Sequence, residues 1–320
     1  MSAIEVSGLR KAYGKHTVLD GIDLHVAEGS VFSLLGPNGA GKTTTVEILT
    51  TLQAPDAGQV TVAGHDLARD PDGVRHSIGV TGQFSAVDNM LTGAENLQLM
   101  ADLLHLGRAT GRRRVAELLD RFDLVDAAKR MAATYSGGMR RRLDLAMTLV
   151  GQPKVIFLDE PTTGLDPRSR HTMWQSIRDL VAGGTTIFLT TQTLDEADQL
   201  ADRIALLNGG VLVAEGTPAE LKRLVPGGHV RLQFSDPGRL DHAAARLADG
   251  TRDDDALTLD VPGDGGVATL RTLLDRLTRE RVEPEGLSVH TPDLDDVFLA
   301  LTAKDPATRA AAAYTKDGAR

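Results

Sequence analysis

Nine residues, Gly36-Pro37-Asn38-Gly39-Ala40-Gly41-Lys42-Thr43-Thr44, stand between an apolar run at 31–35 and a stretch at 44–52 with helical character. Strand, glycine-spaced loop and helix in that order form a P-loop, and a loop of this kind commits the chain to an α/β layout built around the strand that precedes it. The residue types follow from the ligand. A polyphosphate is wrapped by backbone N–H groups, and glycine allows the chain to approach and turn that tightly. Gly36, Gly39 and Gly41 meet that need. The helix start adds unsatisfied N–H groups and the positive end of its dipole. Lys42 adds a point charge for the outer phosphates, and Thr43 a hydroxyl for Mg²⁺.

Length and charge narrow the classes. At 320 residues the chain suggests about two domains. A net charge of −9 and a pI near 5.5 argue against nucleic-acid binding through a broad basic surface, and against electrostatic attachment to anionic lipid. Without cysteine, disulfides and cysteine-ligated zinc or iron–sulfur centres are excluded. Apolar stretches such as 155–158 and 204–207 fall far short of the ~20 residues that cross a bilayer, so membrane contact is expected only through a protein partner. The first residues carry Glu5 and no basic-then-apolar order, so no secretory signal is visible and a cytoplasmic location is expected.

Along the chain, apolar alternation in the first thirty residues, with turn signals at Asp20-Gly21 and Glu28-Gly29, predicts short antiparallel strands. A further strand is predicted at 59–63. Residues 91–106 show helical periodicity behind a Thr92…Glu95 capping box and stop at Gly107; Val115, Leu118, Leu119 and Phe122 then form the face of another helix. Together these predict a helical insert at about 88–150. Continuous apolar strands at 155–159, 186–190 and 203–207 have the pattern of a parallel sheet buried on both faces, closed by a hairpin at Asn208-Gly209. Pro226-Gly227-Gly228 marks a domain boundary at 225/226. Beyond it, strands near 229–234, 257–262 and 286–290 alternate with helices near 238–248, 267–281 and 293–302. This is a small α+β domain over 226–303, followed by an alanine-rich, charged tail at 304–320 expected to be disordered.

Two further motifs carry chemistry. Asp159 and Glu160 end a buried strand, where ligands sit in open α/β sheets; Asp159 suits a magnesium shell and Glu160 a general base for an attacking water. Tyr135-Ser136-Gly137-Gly138-Met139 precedes a helix predicted at 140–150, so the serine hydroxyl and glycine N–H groups form a second anion site at a helix start. The arginines at 112–114 and 140–142 are expected to be solvated helix faces or phosphate-side contacts. The nine histidines show no metal-ligand spacing.

The succession of P-loop, Gln83, Ser136-Gly137-Gly138, Asp159-Glu160 and Gly164-Leu165-Asp166-Pro167 resembles the ATP-binding subunit of ABC transporters over about residues 3–222. The resemblance implies a P-loop NTPase fold with an antiparallel β subdomain and a helical insert, and an ATPase using ATP and Mg²⁺. Residues 36–44 would hold the phosphates, with Lys42 assisting catalysis, and Tyr13 would stack on the adenine. Thr43, Gln83 and Asp159 would hold the metal. Ser136, Gly137, Gly138 and Met139 would cap the nucleotide of a second copy across a head-to-tail homodimer whose interface Asp166 lines. Two positions depart from the family. Met139 stands where glutamine is usual, and Gln192 replaces the usual switch histidine; a glutamine can orient water but cannot titrate near neutral pH.

The strings Val80-Thr81-Gly82-Gln83-Phe84, Thr190-Thr191-Gln192 and Leu194-Asp195-Glu196-Ala197-Asp198, with Leu294-Asp295-Asp296-Val297-Phe298 in the added domain, look like the daunorubicin-resistance branch of drug-exporting ATPases. That branch implies a separate transmembrane permease, a place on the cytoplasmic face of the membrane, and efflux of a hydrophobic compound; the acidic balance adds that no nucleic-acid partner is expected. It also implies that the C-terminal domain steadies or regulates the dimer. A soluble ABC ATPase acting on ribosomes or DNA is the alternative. A Thr193…Glu196 capping box is expected to start the helix after Gln192.

Overall fold

The computed structural model describes residues 1–82, 86–225, 228–263 and 265–302. Gln83, Pro226-Gly227 of the expected break, and the 304–320 tail lie outside the described residues. Two compact units divide the chain, residues 1–218 and 219–320.

In the first unit the elements run β1 (Ser2–Tyr13), β2 (His16–Ala27), β3 (Val31–Leu35), α1 (Lys42–Leu49), β4 (Ala57–Val62), β5 (His65–Asp66), α2 (Pro71–Ser77), β6 (Ile78–Thr81), α3 (Gly93–Leu103), α4 (Arg108–Arg121), α5 (Gly137–Thr148), β7 (Val155–Asp159), α6 (Pro167–Ala182), β8 (Thr186–Thr191), α7 (Leu194–Leu200), β9 (Arg203–Asn208) and β10 (Val211–Gly216). A short α8 (Pro218–Lys222) follows at the junction. One sheet is antiparallel, in the order β2-β1-β4-β5; the other runs β10-β9-β3-β8-β7-β6, parallel except for β10.

The parallel sheet owes its position to strands that are apolar on both faces. Val155 and Phe157 of β7 join a core with β1, β2, β4 and α1, whereas Ile156 and Leu158 join a second core with α3 to α6. In the first core Phe188 stacks on Phe32 and lies tilted against Phe157, each at a centroid separation of 5.5 Å. Because successive side chains point to opposite faces, both layers are anchored to the same five-residue strand, and its C-terminal end emerges between them.

The helical insert lies between β6 and β7 in sequence. Its first helix has the expected box: Thr92 Oγ1 accepts from Glu95 N at 3.2 Å while Glu95 accepts from Thr92 N at 2.8 Å. Val115, Leu118, Leu119 and Phe122 are buried as the periodicity predicts. Gly107 does not stop α3, which ends at Leu103; it is the N-cap of α4.

Three other expectations are corrected. Asp20-Gly21 is not a turn. Leu9 faces Ile22 while Arg10 faces Asp20, so Gly21, at φ 74°, is the extra residue of a bulge inside a twelve-residue strand, and the β1–β2 turn is at Gly14-Lys15. Asn208 pairs with Val211, which makes Gly209-Gly210, both at positive φ, the hairpin turn. The Thr193…Glu196 box does not form: Thr193 caps α7 without a side-chain hydrogen bond, its N–H goes to Thr191 Oγ1 at 2.9 Å, and Glu196 turns into the core.

The second unit comprises β11 (His229–Gln233), α9 (Pro237–Arg246), β12 (Thr251–Asp253), β13 (Thr258–Pro262), α10 (Val267–Glu280), β14 (Gly286–His290) and α11 (Leu294–Thr302). Its antiparallel sheet has the order β12-β13-β11-β14. Val230, Leu232, Leu259 and Val261 pack against Leu240, Leu273 and Leu277 of the helices. The Leu294-Asp295-Asp296-Val297-Phe298 string opens α11, with Leu294 and Val297 buried.

Candidate nucleotide-binding site

The glycine loop leaves the C-terminal end of β3 and runs into α1. Its glycines are required by space and by conformation. A Cβ on Gly36 would lie 2.3 Å from the Leu207 carbonyl oxygen on β9, and one on Gly41 would lie 2.6 Å from Leu19 Cδ2. Gly41, at φ 108°, is also the N-cap residue of α1, which has no side-chain cap, so a ligand can take its first N–H groups. Asn38 and Gly39 at the tip are exposed, Pro37 and Thr44 are half-buried, Ala40 is buried, and Thr43 is open to solution.

Lys42 is buried. Its ammonium group donates to the carbonyl oxygens of Gly36 at 2.7 Å and Pro37 at 3.1 Å, which curls the loop around it. Burial pushes its pKa down, and the carboxylates of Glu160 and Asp159 oppose that. The lysine thus shares one electrostatic site with the end of β7.

At that end, Asp159 is buried and accepts a hydrogen bond from the Thr190 hydroxyl on β8. Glu160 adopts φ 48°, a left-handed conformation that costs a non-glycine residue roughly 1–2 kcal/mol. Its N–H is held by the Thr190 carbonyl at 3.0 Å. The carboxylate accepts from Thr163 Oγ1 at 3.2 Å and from Gln192 Nε2 at 3.5 Å. The turn that strains Glu160 therefore places it beside Gln192, just past the neighbouring strand.

Ser136 is the N-cap of α5, its Oγ accepting from Met139 N at 3.2 Å. A Cβ on Gly138 would lie 2.5 Å from Ser169 Oγ, so glycine lets this loop lie against the start of α6. There Asp166 accepts from Ser169 N at 3.0 Å and Ser169 Oγ at 2.6 Å, bonds that hold its carboxyl below the usual range. Among the described residues, no hydrogen bond or ion pair joins residues 136–139 to residues 36–44. The structure brings Lys42, Asp159, Glu160 and Gln192 together. It places Ser136, Gly138 and Asp166 in a second cluster.

Tyr13 is 46% exposed, with the Lys11 ammonium 5.5 Å from its ring centre, and so is not a packed core residue. Three features escaped the sequence reading. Arg141 is not a solvated arginine; its guanidinium turns inward onto the backbone at the end of β7. Asp144, buried in the apolar run 143–147, pairs with it at 3.2 Å, and that misplaced carboxylate was the available signal. Glu196 is buried and accepts from Thr162 Oγ1 at 2.7 Å and Trp174 Nε1 at 3.3 Å; burial pushes its pKa up, and these hydrogen bonds oppose the shift.

Residues 19–163 match the model of the family described as ABC transporter. The chain is 48% identical over 313 residues to Daunorubicin resistance ATP-binding protein DrrA3 of Streptomyces coeruleorubidus, covering 97% of this chain and 99% of the relative. It is 38% identical over 315 residues to Nod factor export ATP-binding protein I of Ralstonia nicotianae, with 94% of each covered. A solved ATP-binding subunit of an ABC transporter superposes with a TM-score of 0.62 at 30% identity, covering 69% of this chain and 92% of that one. The chain belongs to the ATP-binding subunits of ABC transporters, whose work is the hydrolysis of ATP.

Proposed function

We propose that two copies close head to tail, so that Ser136, Gly137, Gly138 and Met139 of one cap the ATP held by residues 36–44 of the other. One observation carries this reading: each protomer has two anion-ready helix starts, at Gly41 and Ser136, with no bond between them. Asp166, exposed at the start of α6 beside Gly138, lies where such an interface would form. Tyr13 offers an exposed ring to the adenine. Mg²⁺ would be held by Thr43 and Asp159 together with phosphate oxygens and by Gln83, an oxygen donor set suited to that ion. When bound, the ion neutralises charge on the transferred phosphoryl group.

Glu160 acts as general base toward the attacking water, a role worth roughly 10²–10⁴-fold in rate. Gln192 orients that water or the outer phosphate through its amide, without a titration of its own near neutral pH.

The energy is coupled to a separate permease, and membrane contact on the cytoplasmic face comes through it. Among the described residues no helix is long and apolar enough to cross a membrane. A groove of about 540 Å³ between β6 and the insert, lined in part by Ile78, Val80, Met100, Leu104 and Met147, offers an apolar seat for a cytoplasmic segment of that permease. The relatives' names speak of daunorubicin resistance and of Nod factor export, which supports efflux of a hydrophobic compound. The test is co-purification with a candidate permease, a membrane protein with about six long apolar segments encoded next to this chain, followed by ATPase assay in lipid. Stimulation by hydrophobic amphiphiles is expected; no stimulation by any of them overturns the exporter reading.

A further inference from the structure

Arg141 and Asp144 lie one turn apart on α5, just beyond Ser136–Met139, and nothing in the site described so far uses them. The arginine Nε donates to the Pro161 carbonyl at 2.8 Å, and one terminal nitrogen reaches the carbonyls of Asp159 at 3.2 Å and Glu160 at 3.4 Å. Its other terminal nitrogen reaches the Gly82 carbonyl at 3.3 Å and Asp144 Oδ2 at 3.2 Å. Asp144 Oδ1 accepts from Ala86 N at 3.1 Å. A single guanidinium thus holds three successive carbonyls on both sides of the strained Glu160, and Asp144 fixes its plane.

The pair is shielded, with 13% of the Arg141 side chain and 2% of the Asp144 side chain exposed. A rigid fork in a dry place is suited to locking backbone geometry, since a lysine could not satisfy several acceptors in a plane at once. Glu160 at φ 48° is held from two sides: its N–H is tied to β8, and its carbonyl and the two flanking ones are tied to α5.

We propose that Arg141, oriented by Asp144, is a positioning residue for Glu160, fixing the left-handed turn that aims its carboxylate at the attacking water. The same bracket ties the Gly82 carbonyl and the Ala86 N–H to that turn. This rests on the reading of Glu160 as general base.

Steady-state ATPase, ATP affinity and thermal melting of Arg141→Lys, Glu160→Gln and the double variant test it. A displacement of about 1 Å costs on the order of 10²-fold in rate, so kcat of Arg141→Lys should fall by tenfold or more, with KM and ATP affinity unchanged. The double variant should be no slower than Glu160→Gln, because the lost positioning has nothing left to position. Arg141→Ala, where the deleted group leaves its acceptors in place, should regain turnover with millimolar guanidinium. Wild-type kcat in Arg141→Lys beside an inactive Glu160→Gln overturns the bracket alone; so do losses that multiply in the double variant, or a loss confined to KM. Wild-type turnover in Glu160→Gln removes the base assignment and the bracket's purpose together.

Discussion

Replacing Gly36 with alanine should weaken nucleotide binding about a hundredfold for a reason that can be measured on the backbone. The new Cβ would sit 2.3 Å from the Leu207 carbonyl oxygen, where ordinary contact begins at 3.4 Å, so about 1 Å of separation has to be found. The oxygen cannot give way easily, since Leu207 belongs to β9, paired to β10 on one side and to β3 on the other. The loop moves instead. Pulling the loop back by that much weakens one or two of its hydrogen bonds to a charged phosphate, together worth about 3 kcal/mol, on the order of 10²-fold in affinity. Gly39→Ala is the control: Gly39 has φ 79° but open space around it, so alanine there meets roughly 1–2 kcal/mol of backbone strain and no obstacle. Titration with a fluorescent ATP analogue, beside thermal melting, separates the two. Gly36→Ala should lose about two orders of magnitude in affinity, and Gly39→Ala should lose stability with far less loss of binding. Near-normal affinity in Gly36→Ala, or a larger loss in Gly39→Ala, would refute the steric account of the cradle.

Glu160→Gln should lower phosphate release by roughly 10²–10⁴-fold while ATP still binds, and Gln192→Ala should lower it less; unchanged turnover in Gln192→Ala would reduce that residue to a helix-entry position. Glu196 yields a pH signature. Burial raises its folded pKa, so the fold favours the protonated acid, and that contribution is complete below the unfolded carboxyl range and lost as pH rises through the raised value. Melting temperatures of Glu196→Gln relative to the parent should therefore climb with pH from the acid side toward neutrality. A difference independent of pH would place the charged form at no disadvantage.

Much of this was legible in the sequence because particular residues have few structural alternatives. The glycines at 36, 39 and 41 before Lys42 dictate a cradle, and the apolar run 155–158 dictates a strand buried on both faces, with Asp159-Glu160 at its exit. The Thr92…Glu95 box was readable since both partners are local. What was not legible depends on distant partners. Glu196 has the spacing of a capping residue, yet Thr162 and Trp174, supplied by other segments, draw it inward. Arg141 sits in a run of three arginines that looks solvated; apart from the hint of Asp144 in an apolar run, the tertiary approach of 159–161 is what shows that its guanidinium faces in. Gly21 resembles a turn residue, and the register of β1 against β2 makes it a bulge.

The composite pocket is tested most directly by mixing two inactive proteins. Lys42→Ala lacks the phosphate lysine but keeps Ser136–Met139; Ser136→Arg keeps residues 36–44 but blocks the cap. Each alone should be inactive as a homodimer, and mixed dimers, confirmed by differential tagging, should recover ATPase at the one site that combines an intact P-loop with an intact cap. Mixed dimers that stay silent, or Ser136→Arg that hydrolyses ATP at full speed by itself, would contradict a nucleotide held between two chains.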